Sequence, residues 1–395
     1  MKRKFGFMVF TAVIATLAGS LQTAGAITYG DNVNVPSSSM PTVVSLWVEV
    51  DGELRFSCTA TLIEQQIAVT AAHCIQGEDR EMTVWVGNNR LFDSLGKGHL
   101  VDATWYHSRY SSSQIANDVG ILHLATSANI PKSKLARLDG NTRLDAKTKF
   151  ILAGWGRDQN DDLNVLHKVS LKLKNSEAKN YFGNGFNEKT QVAVGKYIGS
   201  EGVYAGACSG DSGGPLYVLK DGRINIVGVT SYGAAAGCGI GVPSVFSRIS
   251  YYEKAIEKGI KEAKETAKLN RIARDAALAQ TPLTGTLTLD SAYQLKASVS
   301  ASTASIGSLK SLCFFIDNRP VMYSEIYFAT DELPYSASSD GCFYRESYDD
   351  LSFGDVYFND GLALGSHKMH AVVTDSFGRK KKLSTVTFTC DMWNC

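Results

Sequence analysis

Between residues 42 and 124 the chain alternates apolar and polar positions in short bursts. Segments 42–50, 56–63, 67–71, 82–86 and 119–124 are β-branched and aromatic, and turn formers such as Asp51-Gly52 and Gly87-Asn88-Asn89 separate them. Short runs of this kind with no helical repeat between them predict an all-β barrel or sandwich. The pattern resumes after a gap, at 150–152, 166–173, 215–218, 224–232 and 245–249.

From residue 250 to 280 the period changes. Tyr252, Ile256, Ile260, Ala263 and Ala267 recur every three to four residues, and Glu257 and Lys261 stand as an i,i+4 pair. That is a helix, ended near Pro282, with residues 257–282 reading as a semi-rigid spacer. Past it, 287–289, 294–299, 312–316, 368–374 and 385–389 are strand-like again. A small β-sandwich over residues 283–395 is the expectation.

A length of 395 residues favours more than one domain. The formal net charge of +1 carries no broad basic footprint for nucleic acid. Residues 1–26 have the form of a secretory signal: Lys2, Arg3 and Lys4, then an apolar stretch, then Ala24-Gly25-Ala26. The apolar stretch is short for a membrane span. Export to the periplasm or outside the cell is therefore expected, and with it disulfides among the eight cysteines. In the tail, sequence proximity favours Cys313–Cys342 and Cys390–Cys395.

The chemistry concentrates at Gly206-Ala207-Cys208-Ser209-Gly210-Asp211-Ser212-Gly213-Gly214-Pro215. Glycines flanking a serine allow a tight turn and a close substrate approach. Such a loop presents a hydroxyl beside outward N–H groups, which is what acyl transfer needs. Serine alone is a weak nucleophile, so a histidine base and a carboxylate are expected elsewhere. His73 stands in Val69-Thr70-Ala71-Ala72-His73-Cys74, and Asp118 in Asn117-Asp118-Val119-Gly120-Ile121-Leu122.

At these motifs, in the order His, Asp, Ser, the chain resembles the trypsin/chymotrypsin family of serine proteases over residues 27–256. The resemblance implies a double six-stranded β-barrel, the second opening at Gly154-Trp155-Gly156. It implies Ser212 as nucleophile, His73 as base and then acid, Asp118 as orienting carboxylate, and Gly210 and Ser212 N–H groups as oxyanion hole. It implies the bridges Cys58–Cys74 and Cys208–Cys238. A further family bridge has no cysteines here, which leaves the segment 175–196 to packing or to motion. It also implies that a new terminus at Ile27 pairs with Asp211, and that signal removal itself makes that terminus.

By the same resemblance Gly206 floors the specificity pocket, with Ser231, Tyr232 and Gly233 on one wall and Ser244 opposite. Without a charge at Gly206, a buried Lys or Arg side chain would go unpaired. Cleavage after apolar residues, small to aromatic, is expected, with no cofactor. The expected partners are protein or peptide substrates and an unknown ligand of the tail; a monomer without nucleic acid or stable membrane insertion is expected. The competing reading is a binding or adhesion protein whose protease-like half no longer cleaves. His99, His107, His123, His167, His367 and His370 show no metal-ligand spacing. Arg379 to Lys382 reads as a solvated hairpin tip, and the approach to it resembles the last hairpin of bacterial immunoglobulin-like modules.

Overall fold

A computed structural model describes residues 27–395, apart from 51–52, 78–79, 94–95, 200–202, 234–237, 239, 281–282, 291–295, 303–308, 322–325, 329–335, 338–341, 345–349, 359–363, 376–377 and 391–395. The expected signal, residues 1–26, lies outside this set. The chain divides into two compact units, the first ending at Glu265 and the second running from Thr266 to Cys395.

The first unit holds two closed barrels. Strands β1 (Val43–Val50), β2 (Glu53–Glu64), β3 (Ile67–Thr70), β4 (Met82–Val86), β5 (Lys97–Tyr106) and β6 (Gly120–Leu124) close in the order β1-β2-β3-β6-β5-β4. A two-residue strand, β7 (Arg137–Leu138), lies on the connection to the second barrel. That barrel comprises β8 (Phe150–Gly154), β9 (His167–Leu173), β10 (Gln191–Tyr197), β11 (Pro215–Lys220), β12 (Arg223–Tyr232) and β13 (Ser244–Arg248). The pairing of Lys172 with Gly195 joins β9 to β10 and closes this ring too. Inward positions are apolar, as alternation requires: Leu46, Leu62 and Leu122 fill the first barrel, and Phe150, Leu152, Leu216 and Phe246 the second, all fully buried.

Most strands sit where the hydrophobic pattern puts them. Of the twelve barrel strands, two were not legible from it. β5 carries polar residues along most of its length, Lys97, His99, Asp102 and Thr104 among them. β10 contains Gly195 and Lys196, which break its apolar run. The segment without the family's extra bridge is held by packing: helix α1 (Asn175–Phe182) buries Ala178, and Phe186 and Val245 close over it.

Helix α2 spans Ile249–Gln280. Its first turns belong to the protease core rather than to a spacer beginning at residue 257. Ile249, Tyr252, Ile256 and Ala263 are buried among residues of the first barrel. Each large side chain so buried contributes about 1.5–3 kcal/mol. A Cβ on Gly259 would lie 2.3 Å from the ring of Trp105, so the helix approaches the barrel here at a distance only glycine permits. Lys264 pairs with Glu64 at 2.6 Å. The helical i,i+4 pair is Lys258–Glu262, at 3.0 Å, in place of the expected Glu257–Lys261.

The second unit carries the end of α2 and two antiparallel sheets. One pairs β14 (Thr284–Asp290), β15 (Lys296–Ser302), β19 (Asp350–Phe358) and β17 (Ile326–Phe328) in that order. The other is built on β16 (Leu309–Ile316) and β20 (Gly365–Asp375), with β18 (Cys342–Tyr344), β21 (Lys380–Lys382) and β22 (Val386–Cys390) beside them. Leu312, Phe314, Ala371 and Val373 make a fully buried face. Cys313 is bonded to Cys342, across paired strands. Cys390 is also disulfide-bonded; the expected partner Cys395 lies outside the described residues. His367 and His370 both lie within β20, and Lys380, Lys381 and Lys382 are exposed on β21.

Candidate active site

Three elements converge where the two barrels meet. The apolar strand β3 ends at Thr70, Ala71 is extended, and residues Ala72–Cys74 form one 3-10 turn that lifts His73 out of the sheet. The bond Cys58–Cys74 ties that turn back to β2. Asp118 precedes β6, the strand paired with β3, and follows Asn117 in the left-handed region at φ 57°. Tyr252 Oη of α2 donates to Asn117 Oδ1 at 3.3 Å and holds this turn.

The carboxylate of Asp118 is fully buried and saturated with donors. Oδ1 accepts the backbone N–H of His73 at 2.9 Å. Oδ2 receives His73 Nδ1 at 2.8 Å and the hydroxyl of Ser231 at 2.6 Å. Its own backbone oxygen accepts Ser247 Oγ at 2.8 Å. A carboxylate on Nδ1 fixes the tautomer that leaves Nε2 free to accept a proton. The imidazole side chain stays 29% exposed, open to the cleft.

The serine loop docks on the element that carries His73. Ser212 O accepts Thr59 N at 2.9 Å, and Gly210 O accepts Thr59 Oγ1 at 2.8 Å. Gly213 has φ 78°, and a Cβ there would stand 2.1 Å from Thr70 Oγ1 and 2.9 Å from Ala71 N. No side chain fits that seam, so glycine follows the serine by necessity. No hydrogen bond joins Ser212 Oγ to the imidazole among the described residues. Such contacts are commonly long in a free enzyme and tighten with substrate.

Backbone donors stand ready beside Ser212. The N–H groups of Asp211, Gly213 and Gly214 are all engaged, on Cys208 O, Thr230 O and Asp211 O. Those of Gly210 and Ser212 donate to nothing among the described residues. Gly210 takes φ 95°, and its missing Cβ would strike Phe56 at 2.7 Å. Two free donors flanking one hydroxyl can hold an oxyanion.

Residues 29–256 match the family described as Trypsin. The chain belongs to that family. It is 31% identical over 240 residues to chymotrypsin-like elastase family member 1 of Bos taurus, covering 57% of this chain and 87% of the relative. It is 32% identical over 256 residues to chymotrypsin-like elastase family member 3A of Homo sapiens, covering 61% and 91%. The solved structure described as "Structure of GrC" aligns with TM-score 0.50 and 27% identity, over 60% of this chain and 100% of that one. The protein is thus a trypsin-like serine endopeptidase, acting on protein substrates.

Two contacts of Asp118 were not expected from the sequence. Ser231, expected on the specificity-pocket wall, also donates its hydroxyl to Asp118. The cause is a β-bulge: Thr230 pairs with Phe246 and Tyr232 with Val245, so Ser231 is the extra residue and turns aside from the ladder. Ser247, which no motif singled out, also serves Asp118. Neither role was legible, because both depend on contacts across the seam between the barrels. Of the other residues expected at the pocket, Gly206 and Ser244 meet. A Cβ on Gly206 would lie 2.5 Å from Ser244 Oγ, and that oxygen accepts Ala207 N at 2.9 Å. The bond Cys208–Cys238 tethers this wall. Gly233 has open space around it, and with Tyr232 it borders a cleft of about 890 Å³ that also takes in Asn117, Phe182 and Tyr252.

Asp211 is fully buried and faces away from the nucleophile's chemistry. Its oxygens accept Gly156 N and Cys208 N, each at 2.8 Å. Burial pushes its carboxyl up to about 7 against the lowering effect of those two bonds. Ile27 is fully buried in the core of the second barrel, and Thr28 pairs with Gly206. Cys58, His73 and Cys74 crowd together, but the disulfide engages both sulfurs. The other described histidines have structural partners: His99 on Thr126, His107 on Arg109 N, His123 on Asp102, His167 on Asn32, His367 on Asp317, and His370 stacked on Phe315.

Proposed function

We propose that this endopeptidase cleaves through Ser212, His73 and Asp118, by an acyl-enzyme, after small or medium apolar residues. His73 takes the Ser212 proton as Oγ attacks the carbonyl carbon, then delivers it to the leaving amine. Water repeats the sequence on the acyl-enzyme and regenerates Ser212. Asp118 orients the imidazole and stabilises its charged form. The N–H groups of Gly210 and Ser212 receive the oxyanion, each worth roughly 3–4 kcal/mol in comparable sites.

The observation that carries this reading is the Asp118 carboxylate on His73 Nδ1, beside two unspent backbone donors at the serine. Specificity rests on the pocket floor. Gly206 brings no charge, and Ser244 Oγ takes up the space beside it. A long cationic side chain would find no partner, and a large ring little depth. The similarity to chymotrypsin-like elastases accords with this.

Two further parts belong to the proposal. Residues 1–26 direct export, in keeping with the disulfides. Their removal frees an amine at Ile27 that pairs with Asp211, whose buried carboxylate has backbone donors but no cation among the described residues.

A serine-phosphonylating reagent tests the whole. One label per chain on Ser212, with labelling and casein hydrolysis both lost in Ser212→Ala, is the expected result. Hydrolysis that survives Ser212→Ala overturns the mechanism, and a peptide-library profile dominated by Arg or Lys overturns the pocket assignment.

A further inference from the structure

A second cavity, of about 520 Å³, lies at the opposite end of the strands that carry the catalytic groups. β3 and β6 pair from Thr70–Gly120, beside His73 and Asp118, to Ile67–His123. The cavity is lined at that second end by Gln65, Gln66 and His123, roughly 10 Å of strand from the triad's end.

Four elements bring cations to it. Lys132 comes from the connection between the barrels, Arg137 from β7, Arg223 from the start of β12, and Lys264 from α2. The parallel pairing of Arg137 with Asn225 sets Arg137 on the same sheet face as Arg223, one two-residue period away. Glu64 is the one acid of the lining, and Lys264 engages it at 2.6 Å. Lys132, Arg137 and Arg223 have no carboxylate partner among the described residues. On a chain whose formal net charge is only +1, this is a local concentration of unpaired positive charge. Ile63, Leu135 and Ala136 supply an apolar side, and Gln65 and Gln66 amides stand beside it.

We propose that this cavity is an exosite for an anionic sugar, a saccharide bearing several sulfate or phosphate groups. A bare oxyanion would meet the cations but leave most of the volume and the apolar side unused. A sugar ring covers that side with its C–H face while its hydroxyls meet the amides. Arginine's planar fork matches sulfate and phosphate oxygens in pairs. The site lies apart from the cleft that takes the peptide, so both ligands are held at once.

The test is calorimetric titration of the full exported chain, its active site blocked by the phosphonylating reagent, with sucrose octasulfate. Sucrose, inorganic sulfate and hexa-aspartate are the comparison ligands. Expected is one octasulfate per chain, weakened by salt, no detectable binding of sucrose, and binding of sulfate and hexa-aspartate at least about tenfold weaker. Arg137→Gln with Arg223→Gln should weaken octasulfate roughly tenfold to a hundredfold, while Lys147→Gln, an exposed lysine outside the lining, leaves it unchanged. Unaltered melting and peptide hydrolysis in the double variant show that it is folded. The proposal is overturned if octasulfate does not bind, if the double variant binds it as the parent does, or if hexa-aspartate binds equally well, which would make the cavity a site for acidic peptide.

Discussion

Ser231 Oγ and Asp118 Oδ2 lie 2.6 Å apart, so a hydroxyl from the second barrel shares with His73 the same carboxylate oxygen from the first. The barrels are therefore joined through the carboxylate that holds His73. The bulge at Ser231 re-aims that side chain, since the extra residue breaks the regular alternation of faces along the strand.

Ser231→Ala should lower kcat about fivefold and leave KM nearly unchanged. A single hydrogen bond is worth about 1 kcal/mol net, and Asp118 keeps both bonds to His73. Steady-state kinetics on a peptide anilide decide it. An unchanged kcat would show that the His73 contacts alone position the carboxylate.

Gly213→Ala should abolish labelling of Ser212 and lower stability by more than about 3 kcal/mol. The new methyl would meet Thr70 Oγ1 at 2.1 Å and Thr59 O at 2.5 Å, on a backbone already at φ 78°. Neither neighbour is the loose end of a long side chain, so the seam must open. Thermal melting and active-site titration measure the two effects separately.

Ser244→Gly should deepen the pocket beside Gly206 and raise kcat/KM for a Phe substrate relative to an Ala substrate roughly tenfold. Extra apolar contact in a pocket is worth about 1–3 kcal/mol. Gly206→Asp alone should gain little cleavage after Lys or Arg, because Ser244 Oγ stands 2.5 Å from where its Cβ would lie and must turn aside, giving up its bond to Ala207 N. Gly206→Asp with Ser244→Gly removes that clash and should cleave after Lys and Arg. A panel of peptide anilides reads all three variants.

The barrels were legible because alternation of apolar residues is a local signal, and inward faces at Leu46, Leu62, Phe150 and Phe246 obey it. His73 and Asp118 were legible through the short motifs around them, which carry the family resemblance and adjoin apolar strands. What escaped is what forms only across space. Ser231, Ser247 and the gap at Gly259 answer to partners far away in the chain. The extent of the protease unit escaped likewise: helical spacing at Ile256, Ile260 and Ala263 shows a helix, but not that its apolar face is already covered by the first barrel.

Asp211 gives a prediction with a definite sign. Its carboxyl is pushed up to about 7 when folded, from an ordinary value of 3.8, because it is fully buried with no cation partner among the described residues. A chain still extended upstream of Ile27 has no amine to offer it. Between about pH 4 and 7 the folded form of that chain then holds a proton that the unfolded form has released. Stability therefore falls as pH rises through this window, by a few kcal/mol from this one group. Asp211→Asn should flatten the difference between pH 4.5 and 7.5 in the extended chain. A chain beginning at Ile27 should lack the fall, since its new ammonium favours the charged carboxylate, and Asp211→Asn should there cost both stability and activity at neutral pH. Urea unfolding of the four proteins at the two pH values is the measurement. An extended chain as stable at pH 7.5 as its Asp211→Asn variant would show that some other group already neutralises the carboxylate, and the pairing with Ile27 would lose its physical basis.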